Sequence, residues 1–221
     1  MSSESGGRRP ESAAEAVDRY VARTIPVRVD VGVSQTVLNL EEAEAILRAA
    51  RSIALGDCVC RVEAKNCDAP VKTCLALDRT PAELADGEYA RFEPVGVERA
   101  LEILRASHEA GLVHMAFRKP GQPITEFCSC CSCCCWFFKE LKRFEYRDAI
   151  VESSRVARHE ADRCSGCGTC VARCHFDAWN PSAKGGVPSL DVARCFGCGV
   201  CVSSCPVGAI SFVPRAAPSV G

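Results

Sequence analysis

Apolar residues recur with helical spacing in two stretches of the first half of the chain. From 40–55 they return every three or four positions, after Asn39, which can cap a helix, and with early glutamates that suit the helix dipole. Gly56 is placed to end that helix. A second periodic stretch covers 94–110 and stops at Gly111. The pattern predicts two amphipathic helices, each burying one face.

Shorter stretches have other patterns. Valines alternate along 25–33 and predict an extended segment or an edge strand, whereas the apolar run 112–115 predicts a short buried strand or a turn. Residues 137–144 are typical of one more helix. Residues 1–12 are rich in Ser, Gly, Glu and Arg, which predicts disorder because little apolar surface can be buried. Helices and strands together predict an α+β protein.

Cysteine content changes this picture, because 18 of the 221 residues are cysteine. A secreted disulfide scaffold would explain such a number. However, the N-terminal residues lack the apolar segment of an export signal, and no run of about 18 apolar residues could span a membrane. We therefore expect a cytoplasmic, reduced protein without membrane insertion. Net charge is −1 without a basic stripe, so nucleic acid is not an expected partner.

Eight cysteines form a doubled motif. In each half, two residues separate the first three cysteines and three residues precede the fourth. This spacing is typical of cubane iron–sulfur ligands: a tight turn aims three thiolates at one cluster, and the fourth faces the other cluster. We assign one [4Fe–4S] cluster to Cys164, Cys167, Cys170 and Cys205. We assign the second to Cys195, Cys198, Cys201 and Cys174. A pair of structural zinc sites is the alternative.

On these motifs, residues 155–213 resemble a two-cluster bacterial ferredoxin domain. The resemblance implies a C-terminal ferredoxin-like domain with two [4Fe–4S] clusters that transfers electrons. One position departs from the family pattern, since His175 stands where a proline usually follows the fourth cysteine. Proline at this position helps the chain to turn, so the departure concerns the local turn and not the cysteine ligation.

Four further cysteines lie within seventeen residues. Cys58 and Cys60 would point to one side of an extended chain, and turns near 66–70 could return Cys67 and Cys74 to them. The grouping predicts a third metal site, an additional iron–sulfur cluster, with buried free thiols as the alternative.

Six of the eight residues from 128–135 are cysteine. In extended chain, Cys128 and Cys130 would share one face and Cys131, Cys133 and Cys135 the other. Some could ligate a cluster while others stay free, and a soft-metal site for zinc or copper(I) is also open. The candidate metal ligands of this run are Cys128, Cys130, Cys131, Cys133, Cys134 and Cys135.

Residues 40–135 also resemble, less specifically, the front half of uncharacterised iron–sulfur proteins that end in a two-cluster ferredoxin domain. The resemblance implies a metal-bearing unit and names no substrate. His114, which follows the predicted end of the second helix, is either a cluster ligand or proton donor, or a core histidine with satisfied hydrogen bonds. The residues that carry this resemblance to the uncharacterised iron–sulfur proteins are 53–61, 66–68, 73–75, 111–114 and 128–135.

We predict electron transfer as the leading function, with low-potential single electrons passing to and from redox partner proteins. One alternative is an oxidoreductase whose ferredoxin domain feeds an N-terminal iron–sulfur site, and another is a soft-metal handling protein. No phosphate loop or dinucleotide glycine fingerprint supports a nucleotide cofactor. The predicted parts are a disordered segment 1–12, an N-terminal cysteine-rich α/β unit 13–150, a ferredoxin-like domain 151–213 and a flexible tail 214–221.

Overall fold

The computed structural model describes residues 34–80, 84, 91–118, 122–144, 150–182 and 185–216. The predicted segment 1–12 and the predicted strand 25–33 lie outside these residues. Helices and strands both occur, and the α+β class is confirmed. Within the described ranges, no helix is both long enough and apolar enough to cross a membrane.

A seven-stranded sheet forms the centre of the N-terminal unit. The strands lie in the order β4-β2-β3-β6-β5-β1-β7, and all neighbours are antiparallel except the parallel pair β1 and β7. Antiparallel pairing accepts short connections, which suits the short interval between β5 and β6. The strands are β1 (Ser34–Leu38), β2 (Ile53–Asp57), β3 (Lys72–Leu77), β4 (Glu93–Val95), β5 (Val113–Arg118), β6 (Ile124–Cys130) and β7 (Ile150–Val151).

Two helices cover one face of this sheet. They are α1 (Leu40–Ala49) and α3 (Val97–Glu109), and their buried side chains join those of the sheet in one apolar core. Asn39 caps α1 as predicted: its side chain accepts from the Glu42 N–H at 3.0 Å, and the Glu42 carboxylate accepts from the Asn39 N–H at 2.9 Å. Two further helices are α2 (Val59–Ala64), which lies within the first cysteine group, and α4 (Trp136–Phe144), which follows the second.

The predicted helix 40–55 is too long, because α1 ends at Ala49 and the chain enters β2 at Ile53. The Asp78 carboxylate accepts hydrogen bonds from the backbone N–H groups of Arg51 and Ser52 at 2.7 and 2.9 Å. These donors are thereby turned away from the helix. Burial of the apolar side chains of β2 against the helices then outweighs the helix propensity of these residues. The helix predicted over 94–110 is also shorter and begins at Val97, since Pro94 pairs in β4.

Residues from 155 onward contain two small pairs of antiparallel strands around the doubled cysteine motif. Strand β8 (Arg155–His159) pairs with β11 (Ile210–Pro214), and β9 (Trp179–Asn180) pairs with β10 (Ser189–Leu190). The third and fourth cysteines of each half flank or lie in a four-residue helix, α5 (Thr169–Ala172) or α6 (Val200–Ser203). Strand β11 includes Pro214, the first residue of the predicted flexible tail.

This C-terminal region packs on the sheet face opposite α1 and α3. Phe176 and Phe196 are buried there with Phe138 of α4 and with Met115 of β5. At another contact, Glu42 accepts from the Ser153 hydroxyl at 2.8 Å. Burial would raise the pKa of the Glu42 carboxyl, but hydrogen bonds from Ser154, Asn39 and Ser153 lower it. The predicted boundary near residue 150 stays a prediction.

Candidate metal centres

The backbone of the doubled motif is shaped to bring N–H groups onto sulfur. The Ala178 N–H donates to Cys174 Sγ at 3.4 Å, and the Ala209 N–H donates to Cys205 Sγ at 3.2 Å, each four residues after its cysteine. Gly197 has φ +76°, and a Cβ there would lie 1.9 Å from the Arg155 carbonyl oxygen. Only glycine fits this approach. N–H donation to cysteine sulfur is one way in which a protein tunes a bound iron–sulfur cluster.

One cavity in this region is lined by cysteines from both halves of the motif. Cys174, from the first half, borders it together with Cys195, Cys198 and Cys201 from the second. Burial raises the pKa of the Cys198 thiol to about 12, and the nearby charges of Cys174 and Cys195 act in the same direction. This is the placement that crossed ligation requires; ligation itself stays a prediction.

The other three cysteines of the first half also form a group. Burial raises the pKa of Cys170, and the charges of Cys164 and Cys167 raise it further. Cys167 is exposed, while Cys164 accepts a hydrogen bond from the Gly166 N–H at 3.4 Å. Thiolates grouped in this way repel one another unless a cation offsets their charge.

In the N-terminal unit, six cysteine thiols interact in a closed ring, each with the next. Cys74 Sγ lies 3.8 Å from Cys128 Sγ, across the adjacent strands β3 and β6. Hydrogen bonds from Cys135 and Cys58 lower the pKa of Cys60. We call this set the six-thiol ring; its members in order are Cys58, Cys60, Cys135, Cys130, Cys128 and Cys74.

The remaining four N-terminal cysteines form a separate set. Their Sγ atoms all lie within 4.8 Å of one another. Cys67 Sγ is 3.8 Å from Cys131 Sγ and 3.7 Å from Cys134 Sγ, and Cys133 Sγ is 3.8 Å from Cys134 Sγ. We call Cys67, Cys131, Cys133 and Cys134 the four-thiol set.

This grouping differs from the one expected along the sequence. Cys67 does not return to Cys58 and Cys60 but meets the later run, 64 residues away. Cys135 lies with Cys130 rather than with Cys131 and Cys133. The reason is that β6 ends at Cys130 and residues 132–134 form a turn, so the alternation of an extended chain stops there.

A buried arginine lies between the two sets. Arg61 is 2 % exposed, and its guanidinium donates to the Pro70 carbonyl, to Thr73 Oγ1 at 3.1 Å and to the Ser129 carbonyl at 2.7 Å. Burial would raise the pKa of Cys131, but the hydrogen bond from Arg61 helps to lower it to about 7. Arg61 therefore favours the thiolate form beside the four-thiol set.

Two buried histidines form a hydrogen-bonded chain that the sequence did not indicate as a unit. His108 Nε2 is 2.8 Å from Ser203 Oγ, His108 Nδ1 is 3.3 Å from His114 Nε2, and His114 Nδ1 is 3.0 Å from Ser129 Oγ. Burial lowers the pKa of both histidines, and that of His114 to about 3, so both are neutral near pH 7. The chain runs from exposed Ser203, on the helix of Cys201, to buried Ser129, between two cysteines of the ring.

His175 joins the doubled motif to the four-thiol set. Its Nε2–H donates to the Gly111 carbonyl at 2.7 Å, so Nδ1 accepts from the Ser132 N–H at 3.2 Å. Ser132 lies between Cys131 and Cys133. The histidine that departs from the ferredoxin pattern thus has a structural role in the contact with the N-terminal unit.

Residues 163–210 match the family model of the 4Fe-4S dicluster domain. The match covers the doubled motif and supports iron–sulfur clusters and iron–sulfur electron transfer. The sulfur-directed N–H groups and the shared cavity fit cubane ligation by the chain's own cysteines. No curated protein matches the chain.

Proposed function

We propose that this chain passes low-potential single electrons between two [4Fe–4S] clusters of the doubled motif and a further iron–sulfur cluster held by the six-thiol ring. Bound clusters of this kind supply one-electron reduction and oxidation without proton chemistry of their own. The protein residues hold the sites at fixed separation and exclude water between them. Redox partner proteins would deliver and receive the electrons at the surface.

The observation that carries this proposal is an apolar core shared by both regions. Cys130 and Cys135 of the ring belong to it, and Cys174 and Cys198 of the cavity pack against it. Aromatic rings fill the space: Phe138 lies 5.1 Å from Phe176, and Phe176 lies 4.4 Å from Phe196, between ring centroids. Close packing keeps both sites in a low-dielectric interior.

The chain also offers a charge balance for the ring. Six thiols in one ring cannot all ionise without a cation, because neighbouring thiolates repel. Arg61 is close enough to act on the charges of Cys58 and Cys130. It supplies one buried positive charge, so most of the compensation would have to come from bound metal.

An iron and acid-labile sulfide count on the full-length protein, purified without oxygen, tests the proposal. We expect more than about eight irons per chain, the number that two cubanes hold. The double variant Cys130→Ala/Cys135→Ala should lose the irons above eight and keep the signals of the dicluster domain.

Cys133→Ala is the matched control, since this cysteine lies outside the ring, and its iron content should equal that of the unaltered protein. A count of eight irons or fewer in the unaltered protein would contradict a cluster in the ring. Zinc or copper lost from the ring variant in place of iron would favour the soft-metal handling function.

The histidine chain favours a second candidate, an oxidoreductase whose N-terminal site reduces a substrate. Buried neutral imidazoles in a hydrogen-bonded chain can pass a proton from one end to the other. Ser203 meets solvent, and Ser129 lies between the ring residues Cys128 and Cys130 along β6, so one proton could reach the strand that carries them with each electron. A pure electron carrier has no need of such a path.

For this candidate, His108→Phe should slow electron arrival at the N-terminal site at least about tenfold and abolish any H₂O/D₂O rate difference, because the chain is interrupted. Rapid-freeze spectroscopy after mixing with a reductant measures both quantities. His159→Phe serves as control, since His159 packs edge-on against Trp179 outside the chain. Equal rates and isotope effects in His108→Phe and the unaltered protein would exclude the chain as a proton path.

A further inference from the structure

The spacing of the four-thiol set is that of ligands around one metal ion. A tetrahedral ion with metal–sulfur bonds of about 2.3 Å places its sulfurs about 3.8 Å apart. Cys67 Sγ lies 3.8 Å from Cys131 Sγ and 3.7 Å from Cys134 Sγ. A cubane has four irons between its thiolates, which holds them further apart. All four Sγ atoms lie within 4.8 Å of one another, so the set as a whole is too tight for a cubane and has the size of a single-ion site, whereas the 3.8 Å in the six-thiol ring applies to one pair, Cys74 and Cys128.

The four-thiol site has no open coordination position, and it lies in a small apolar cluster of its own. Cys131 and Cys134 are buried with Leu112 in a small apolar cluster, and only Cys133 is exposed. All four ligand positions come from the protein, as in structural zinc sites, which have no open coordination position.

Backbone contacts hold the two contributing segments in place. The Asn66 side-chain amide donates to the Cys133 carbonyl at 2.9 Å, and the Cys135 N–H donates to the Cys131 carbonyl at 3.0 Å. The second of these bonds also fixes Cys135, a member of the six-thiol ring.

We propose that Cys67, Cys131, Cys133 and Cys134 bind one tetrahedral Zn²⁺ ion as a structural site, separate from every iron–sulfur cluster of the chain. The ion would join the segment after α2 to the turn after β6. Binding of structural zinc contributes directly to folding, and here it would stabilise the contact between two segments far apart in sequence.

Metal analysis of the full-length protein, purified without oxygen, tests this proposal. We expect one zinc per chain, with four sulfurs at about 2.3 Å by X-ray absorption at the zinc edge. In Cys133→Ala, zinc content should fall at least about tenfold while iron and sulfide are unchanged, because three thiolates bind a tetrahedral ion far less tightly. Cys67→Ala should repeat this result from the other segment.

Cys167→Ala is the matched control, because Cys167 is also exposed but belongs to the dicluster domain. It should lose iron and sulfide and keep its zinc. Loss of iron and sulfide together from Cys133→Ala would overturn the proposal, as would undiminished zinc in both four-thiol variants or a single iron without sulfide at this site. Iron in excess of eight is measured separately, so the zinc site and the ring cluster can fail independently.

Discussion

Replacing Cys174 with alanine is expected to remove the cluster to which we also assign Cys195, Cys198 and Cys201. The sequence places Cys174 after the first trio, but the structure places it at the cavity of the second. A cubane left with three thiolates loses one of its iron ligands, and we expect about four irons and four sulfides fewer per chain.

Double variants show which cluster is lost. Cys174→Ala/Cys198→Ala should contain as much iron as Cys174→Ala alone, since both changes affect one cluster. Cys174→Ala/Cys167→Ala should lose about four further irons, because we assign Cys167 to the other cluster. Iron counts and low-temperature electron paramagnetic resonance of the reduced proteins measure this. The reverse pattern of iron loss would show that the ligands do not cross.

Replacing Arg61 with methionine is expected to destabilise the N-terminal unit by about 3 kcal/mol or more. Methionine keeps much of the side-chain volume, but it leaves the buried Ser129 carbonyl and Thr73 hydroxyl without their donor. Each unsatisfied buried group costs about 1–3 kcal/mol. Loss of the guanidinium also removes a hydrogen bond that favours the Cys131 thiolate, so the pKa of Cys131 should rise.

Hydrogen exchange of the anaerobic protein measures this effect, with the largest loss of protection expected in β6 and α2, the elements that Arg61 joins. Arg99→Met is the matched control, because Arg99 forms an exposed pair with Glu102 at 2.8 Å on α3. Such pairs contribute less than about 1 kcal/mol. Equal protection in Arg61→Met and Arg99→Met would show that Arg61 is not needed to hold the thiol sets.

Local features of this chain could be predicted from the sequence because a few neighbouring residues decide them. The cysteine spacing and glycines from 164–205 predicted the doubled motif, and residues 163–210 match the dicluster domain. The capping box at Asn39 depends on residues three positions apart, and it is present. The match does not include the N-terminal unit. The bacterial ferredoxin type and the ligand roles of the cysteines stay predictions.

Only the tertiary structure decided which N-terminal thiols meet. Cys74 faces Cys128 because β3 pairs with β6 in one register, with Leu75 opposite Phe127. A shift of one residue would have turned those side chains to opposite faces. Likewise, the end of β6 at Cys130 separates the six-thiol ring from the four-thiol set. Sequence spacing determined which cysteines lie together within one turn of the chain. Strand register and packing determined which residues more than fifty positions apart are in contact.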